Sequence, residues 1–364
     1  ARGDQSDYAG LFLTFDDVFP YGARADEITA FYRPRPGLPF TAYRLASGRR
    51  VLVWTTFEPT QVDINVTSPK AWSYLDGVLD VMADHGIATA RLDAIGYAVK
   101  TPGTDSFMTP QTLRYVDELT RHCHDRGLSV LVEVHSHFRD QLAIARRVDW
   151  IYDFALPPLL LLAIYTGSLA ELGRWLTMRP DNCVAVLDTH DGIGVVDACG
   201  NDRDPAGLIS DEQADAIFAE ADRRTGGISG QASITPEFAP RPHQINSTFL
   251  DVLGGDEQTF LACRVAQLFL PGQAHIYYVG LLGGHNDIER WRRTGVGREI
   301  NRHAYTDAER RAAEDSELTR AVLALVRLVS SHPAMDAQRG ARFSWGIEGD
   351  TLSLTWTRNA DRCA

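Results

Sequence analysis

The sequence predicts an α/β fold in which helices wrap a parallel sheet, and three observations predict it. From Ser68 onward, stretches of helical period alternate with short apolar runs, the pattern of repeated strand–helix units. The apolar runs are continuous, as in strands covered on both faces. Each run closes on a polar residue or a glycine: Asp93, Glu133, Asp153, Asp191 and Gly280. A (β/α)8 barrel carries its active site at such C-terminal strand ends. The acids at 93, 133 and 191 are therefore expected to share one bowl.

Before Ser68 the chain reads as irregular, rich in Pro, Gly and aromatics, with turn chemistry at PRPG and ASGRR. RRVLVW and VDINV predict short strands of a small excursion domain. Arg33 and Arg35, beside aromatics, are candidates for an anion-binding edge. Beyond it the spacing predicts a helix over 71–85 stopped by Gly86, a strand over 88–95, and a helix over 109–126 with Pro110 in its first turn. A strand over 128–135 (LSVLVEVH), a helix over 140–147 and a strand over 150–156 (WIYDFAL) follow. Helices over 158–165 and 169–177 lead to a strand over 183–191 (CVAVLDTHD). A helix over 211–225, a loop over 226–241, a helix over 258–269 and a strand over 275–280 (HIYYVG) complete the alternation. One long helix over 308–331 and an alternating hairpin over 343–356 around an acidic glycine turn end the chain.

Bulk properties exclude several classes. A formal net charge of −12 argues against nucleic acid as a partner; an anionic ligand would need a local cluster of cations. The longest apolar stretch, FALPPLLLLAI, carries two prolines and falls short of the ~18 residues of a membrane span. No membrane partner, signal peptide or zinc- or calcium-ligand spacing is expected, and the five Cys read as reduced thiols, mostly buried. A cytoplasmic location is the corresponding expectation; small-molecule sugar and phosphate are the expected partners, with a homodimer left open.

The chemistry-bearing residues cluster in three short stretches. In ARLDAIGY, Arg91 and Asp93 are two apart on one strand and share a face; a neighbouring Arg favours an ionised carboxylate. VEVH places Glu133 with His135, and LDTHD places Asp191 beside His190. Retaining glycosyl transfer needs such acids: one carboxylate to attack the anomeric carbon and one to protonate the leaving oxygen. A third can steady the oxocarbenium-like charge. His135 and His190 suit sugar hydroxyls or a phosphate.

RLDAIGY, EVHS and LDTHDGIG resemble three region motifs of the α-amylase clan, glycoside hydrolase family 13, and more narrowly its sucrose phosphorylase subfamily. FYRPRPGLPF, FEPTQVDIN, IYDFALPPLLL, YYVGLLGGHND and GREINRH extend the resemblance over nearly the whole chain. It implies an α-amylase-type (β/α)8 TIM barrel, incomplete here. Residues 1–67 would belong to excursion domain B, 68–332 to barrel strands four to eight, and 333–364 to the start of a small C-terminal β domain. The first three strands are expected to be missing, leaving an open sheet with exposed edges. It implies Asp93 as nucleophile, Glu133 as general acid/base and Asp191 as transition-state stabiliser, with Arg91 and His190 on the glucosyl unit. Arg35, Tyr97, His135 and Arg298 would serve phosphate or substrate, and Gln244 would ride a mobile loop. The implied reaction is phosphorolysis to α-glucose 1-phosphate, without a cofactor or metal and with inorganic phosphate as co-substrate.

The loop APRPHQIN departs from the Leu-Asp-Leu-Tyr-Gln-like run of common sucrose phosphorylases. Arg241 and His243 stand where an Asp would favour fructose hydroxyls, and lean toward a phosphorylated or carboxylated acceptor such as that of sucrose 6′-phosphate. Glucosylglycerate or glucosylglycerol phosphorolysis, α-glucoside hydrolysis and a non-catalytic binding role are the alternatives.

Overall fold

The computed structural model describes residues 6–33, 37–235 and 241–364; Arg35 lies outside the described residues. Contacts divide the chain into two compact units. One comprises Ala1–Val134 and Ala143–Ile151, the other His135–Leu142, Tyr152–Thr235 and Ala239–Ala364.

In the first unit the stretch before Ser68 is more ordered than expected. β1 (Phe40–Arg44) and β2 (Arg50–Trp54) form an antiparallel hairpin. Phe31 meets Trp54 edge-on at 4.8 Å and Phe19 meets Phe31 at 5.9 Å, making a small aromatic core with Leu13. VDINV adds only a bridge from Ile64 to Phe12. Helix α1 (Pro69–Asp84) starts where Ser68 Oγ accepts the Lys70 N–H and Pro69 fills the first turn. β3 (Thr89–Leu92), helix α2 (Pro110–His124) and β4 (Ser129–Val132) follow. β3 pairs in parallel with β4 from Thr89↔Ser129 to Leu92↔Val132. β4 pairs with β5 (Trp150–Asp153) at Leu131↔Trp150 and Val132↔Ile151. β3 is shorter than its apolar run because Ala94 takes a left-handed φ of 49°, which no strand can continue. It is also not covered on both faces: Ala90 is buried while Thr89 and Arg91 are exposed.

Helix α3 (Phe138–Ala145), which belongs to the second unit as far as Leu142, begins ahead of the predicted 140. Helix α4 (Leu156–Thr166) takes Pro157 and Pro158 into its first turn, and every residue from Leu156 to Ala163 is buried. A helix apolar on all sides is a core helix. Leu159, Leu161, Trp175 of α5 (Ala170–Met178), Phe249 and Phe260 pack into one core with residues of α6 (Asp211–Arg224) and α8 (Glu257–Phe269). β6 (Cys183–Ala185) runs parallel to β9 (Gln273–Ala274). Between them β7 (Ile193–Gly194) and β8 (Gln244–Ile245) make a short antiparallel pair.

Four expectations in this unit are corrected. The strand over 183–191 ends at Ala185, and Thr189–Gly192 is instead a tight bridged turn. The strand expected over 275–280 does not form: the strand here is β9, just before it, which ends at Ala274. The last backbone bond to β6 is His275 N–H to the Ala185 carbonyl at 2.9 Å, and Tyr278–Leu281 turns into helix α9. A partner strand of three residues offers nothing further to pair with. The loop over 226–241 contains the short helix α7 (Ile228–Ala232). The long helix over 308–331 is two, Asp307–Glu314 and Glu317–Ser331, because Ser316 caps a new helix by accepting the Thr319 N–H. The final hairpin, β10 (Arg342–Glu348) and β11 (Thr351–Arg358), gains a third strand, β12 (Asp361–Cys363). All five thiols are free, four of them buried. No helix among the described residues is long and apolar enough to cross a membrane.

Asp153, the polar end of β5, is fully buried against Arg179 Nε at 2.6 Å, Trp175 Nε1 at 3.1 Å and the Leu156 N–H at 3.0 Å. It is a structural anchor. Removing one partner of a buried pair leaves an uncompensated charge. Arg179→Met should therefore lower the unfolding free energy by about 3–5 kcal/mol in a denaturant titration. An unchanged midpoint would show the pair to be dispensable.

Candidate active site

The first unit holds Arg91, Asp93, Tyr97 and Glu133. Asp93 follows the last residue of β3, and the left-handed Ala94 and the turn Ile95–Tyr97 carry the chain away. Glu133 follows β4, its N–H bonded to the Leu92 carbonyl at 3.0 Å. Arg91 forks between the two carboxylates. It pairs with Glu133 through Nη2 and lies 3.6 Å from Asp93 through Nη1. The same-face expectation for Arg91 and Asp93 is met, and Glu133 joins them. Asp93 is 71% exposed, whereas Glu133 is 8% exposed: one acid is open, the other enclosed. Tyr97 stands among Tyr32, Phe57 and Phe107, with ring centroids 4.7–6.0 Å apart. Gly96 is required there, since a Cβ would sit 2.7 Å from the Phe107 ring.

Lys100 beside this cluster went unmarked in the sequence. Its buried amine pairs with Asp63 at 2.7 Å and donates to Thr56 Oγ1 at 2.9 Å and to the Tyr97 carbonyl. Burial pushes its pKa below the ordinary lysine value, against the opposing pull of Asp63. Arg33 donates to the carbonyls of Thr56 and Phe57 at 3.0 and 2.9 Å.

The second unit holds the rest. Asp191 sits in the Thr189–Gly192 turn, where Arg298 Nη1 reaches its carboxylate at 2.5 Å and Arg302 Nη2 at 3.3 Å. Three consecutive carbonyls of that turn are capped by side chains. Asn301 donates to Thr189 at 3.0 Å, Arg302 Nε to His190 at 2.7 Å, and Gln244 to Asp191. Gln244 also donates to Asn246 at 2.9 Å and lies in β8. His190 Nε2 is 3.5 Å from Asp191. Beneath the turn, Asp188 meets the fully buried Arg264 at 3.3 Å, and Arg264 donates to Gln267 at 2.7 Å. Burial pushes the Arg264 guanidinium below its ordinary pKa, with Asp188 opposing. Gly280 lies against this pair: a Cβ there would meet the Arg264 guanidinium and come 3.0 Å from the Asp188 carboxylate. His135 stacks on Phe154 at 3.9 Å, and its Nδ1 lies 3.3 Å from Asp197.

Arg241 is already matched. Its guanidinium pairs with Asp211 at 2.6 Å and Asp215 at 2.8 Å on α6 and is only 12% exposed. The carbonyl of His243 accepts the Val195 N–H at 3.2 Å. Sequence reasoning missed Arg302, Asn301, Asp188, Arg264 and Asp197. The GREINRH stretch was in view for Arg298, but nothing in its spacing marks Arg302 as a second cation for Asp191.

No family model matches the chain. It is 45% identical over 360 residues to a sucrose phosphorylase of Bifidobacterium adolescentis, an alignment covering 98% of this chain and 70% of that protein. The chain belongs to the sucrose phosphorylase family. The crystal structure of a sucrose 6F-phosphate phosphorylase from Thermoanaerobacter thermosaccharolyticum matches 100% of it and 73% of that chain, with a TM-score of 0.89 at 32% identity. An α-amylase from H. orenii matches with a TM-score of 0.61 at 12% identity, over 99% of this chain and 64% of that one; that likeness shows the fold alone. The fold is the α-amylase-type barrel of glycoside hydrolase family 13. The parallel strands β3, β4, β5, β6 and β9 among the described residues are fewer than the eight that close it.

The Asp191 turn depends on Gly192, whose φ is +109° and where a Cβ would lie 2.6 Å from the Ile245 carbonyl oxygen. Gly192→Ala should cost about 1–3 kcal/mol from backbone strain alone, read by chemical denaturation. A stability equal to that of the unaltered chain would refute the tight-turn argument.

Proposed function

We propose that this member of the sucrose phosphorylase family transfers a glucosyl unit from sucrose, or a closely sucrose-like α-glucoside, to inorganic phosphate. The observation that carries the reading is the strand-end pairing of an open Asp93 with an enclosed Glu133, forked by Arg91, in a chain whose relatives perform this chemistry by name. No cofactor enters; phosphate is the co-substrate.

Asp93 attacks the anomeric carbon from the face opposite the fructosyl oxygen. That C–O bond breaks as Glu133 delivers its proton to the departing oxygen, leaving a β-glucosyl ester on Asp93. Glu133, now ionised, takes a proton from the incoming phosphate. A phosphate oxygen displaces Asp93, and two inversions yield α-glucose 1-phosphate. Asp191 steadies the oxocarbenium-like charge in both steps; its two arginines and three capped carbonyls hold it in place. Arg91 and His190 orient the glucosyl unit. Tyr97, His135 and Arg298, together with Arg35, serve phosphate, and Gln244 serves the acceptor side.

A second reading, sucrose 6′-phosphate as substrate, is favoured by His243 in the departing loop and by the likeness to a sucrose 6F-phosphate phosphorylase. Arg241 does not add to it, because Asp211 and Asp215 already balance its charge.

In the natural protein carrying this sequence, glucose 1-phosphate should appear from sucrose only when phosphate is present. Phosphate-independent release of glucose at a comparable rate would mark a hydrolase instead. Asp93→Asn should lower turnover by about 10⁴-fold or more, with no trapped glucosyl-enzyme by mass spectrometry; full turnover would overturn the nucleophile. Between the two substrates, kcat/KM decides. A preference for sucrose 6′-phosphate that collapses in His243→Ala would establish the second reading, and faster turnover of plain sucrose would sink it. Arg241→Ala should leave that preference unchanged.

A further inference from the structure

Asp197 has no part in the chemistry above, yet it is a carboxylate with no exposed surface, in the turn Val196–Ala198. Its two oxygens do different things. Oδ1 accepts the Ser136 N–H at 3.0 Å and the Gln141 amide at 3.2 Å. Oδ2 faces Nδ1 of His135 at 3.3 Å. The imidazole is held from its flat side by Phe154, stacked at 3.9 Å and tilted by 19°, with Tyr152 stacked on Phe154 in turn. Gly194 leaves the room this needs, since a Cβ there would collide with Oδ2 and come within 3.5 Å of Nδ1. Ring plane, ring rotation and the partner of Nδ1 are thus all specified.

We propose that Asp197 is a positioning residue that holds His135 in the Nδ1–H tautomer, so that His135 meets the substrate with Nε2 as a hydrogen-bond acceptor. The partner there would be a protonated phosphate oxygen or a sugar hydroxyl. A carboxylate is an acceptor only, so the nitrogen facing it must carry the proton. In the neutral ring the lone pair then resides on Nε2. The functional half of this rests on the reading of His135 as a substrate-facing residue; the tautomer itself does not.

Asp197→Asn keeps the shape and inverts the polarity. The single amide oxygen stays with Ser136 and Gln141, the amide N–H turns to His135, and the imidazole proton must move to Nε2. The same logic underlies the tautomer trap of a triad Asp→Asn change.

The test uses histidine labelled with 15N, with the His135 signals assigned by their loss in His135→Gln, at a pH well above the ordinary imidazole range. Protonated Nδ1 and bare Nε2 in the unaltered protein support the proposal; the Nε2–H tautomer overturns it without any variant. In Asp197→Asn the pattern should invert while the thermal midpoint moves little. kcat/KM for phosphate should fall by about 10- to 100-fold, the range seen when the group orienting a metal-bound His is removed. An inverted tautomer with unchanged phosphate kinetics overturns the functional half. If the unaltered protein releases no glucose 1-phosphate, the phosphorylase reading fails, and the imidazole shifts alone still decide the role of Asp197.

Discussion

The second unit is organised around a tight turn whose carbonyls have no strand to pair with. β6 stops at Ala185, and Thr189, His190 and Asp191 direct three successive carbonyl oxygens toward Asn301, Arg302 and Gln244. Each such bond contributes only about 0.5–1.5 kcal/mol net, so stability is not what they chiefly provide. They remove the freedom of a loop that presents a carboxylate, and the stabilising role proposed for Asp191 depends on its orientation. Arg302 serves both ends of this arrangement, donating to the His190 carbonyl and to the Asp191 side chain. Glu299 in turn pairs with Arg302 at 3.4 Å and with Arg290. The guanidinium that orients Asp191 is itself oriented.

The acids near strand ends are of two physical kinds. Asp153 and Asp188 are buried with fixed cationic partners, Arg179 and Arg264, and Asp197 is buried among neutral and imidazole donors. Such groups are scaffolding: each is costly to strip of a partner and holds its neighbours in one geometry. Asp93 is the opposite, exposed, with the Arg91 guanidinium 3.6 Å away. The proposed reaction uses this least enclosed acid as its nucleophile, a role that needs access to an electrophile. Burial, more than residue type, separates the two kinds.

Charge matching also decides what the departing loop can do. An arginine in a loop next to an acceptor site invites the reading that it binds an anion. Here the first turn of α6 carries Asp211, and one turn later Asp215, and both lie within 3 Å of Arg241. An anionic ligand would have to compete with two carboxylates already in place. His243 is the other basic residue of that loop, and the proposed recognition of a charged acceptor rests on it.

What the sequence by itself determined was the periodicity and the chemistry carried at fixed offsets. The parallel α/β alternation, four of the five strands, the Arg91–Asp93 face, and Glu133 and Asp191 as isolated acids after apolar runs could all be read from spacing. Period and capping are local properties, and so is the strand–helix alternation. Strand lengths, the break at Ser316 and the helical end of HIYYVG were not legible, because each depends on how much partner strand is available or on a hydroxyl capping a helix. The partners of the acids were least legible of all. Arg302, Arg264 and Asp197 act on residues 62 to 111 positions away. No local pattern encodes which distant side chain closes on which carboxylate; only the folded chain, by removing water from between them, makes those pairings matter.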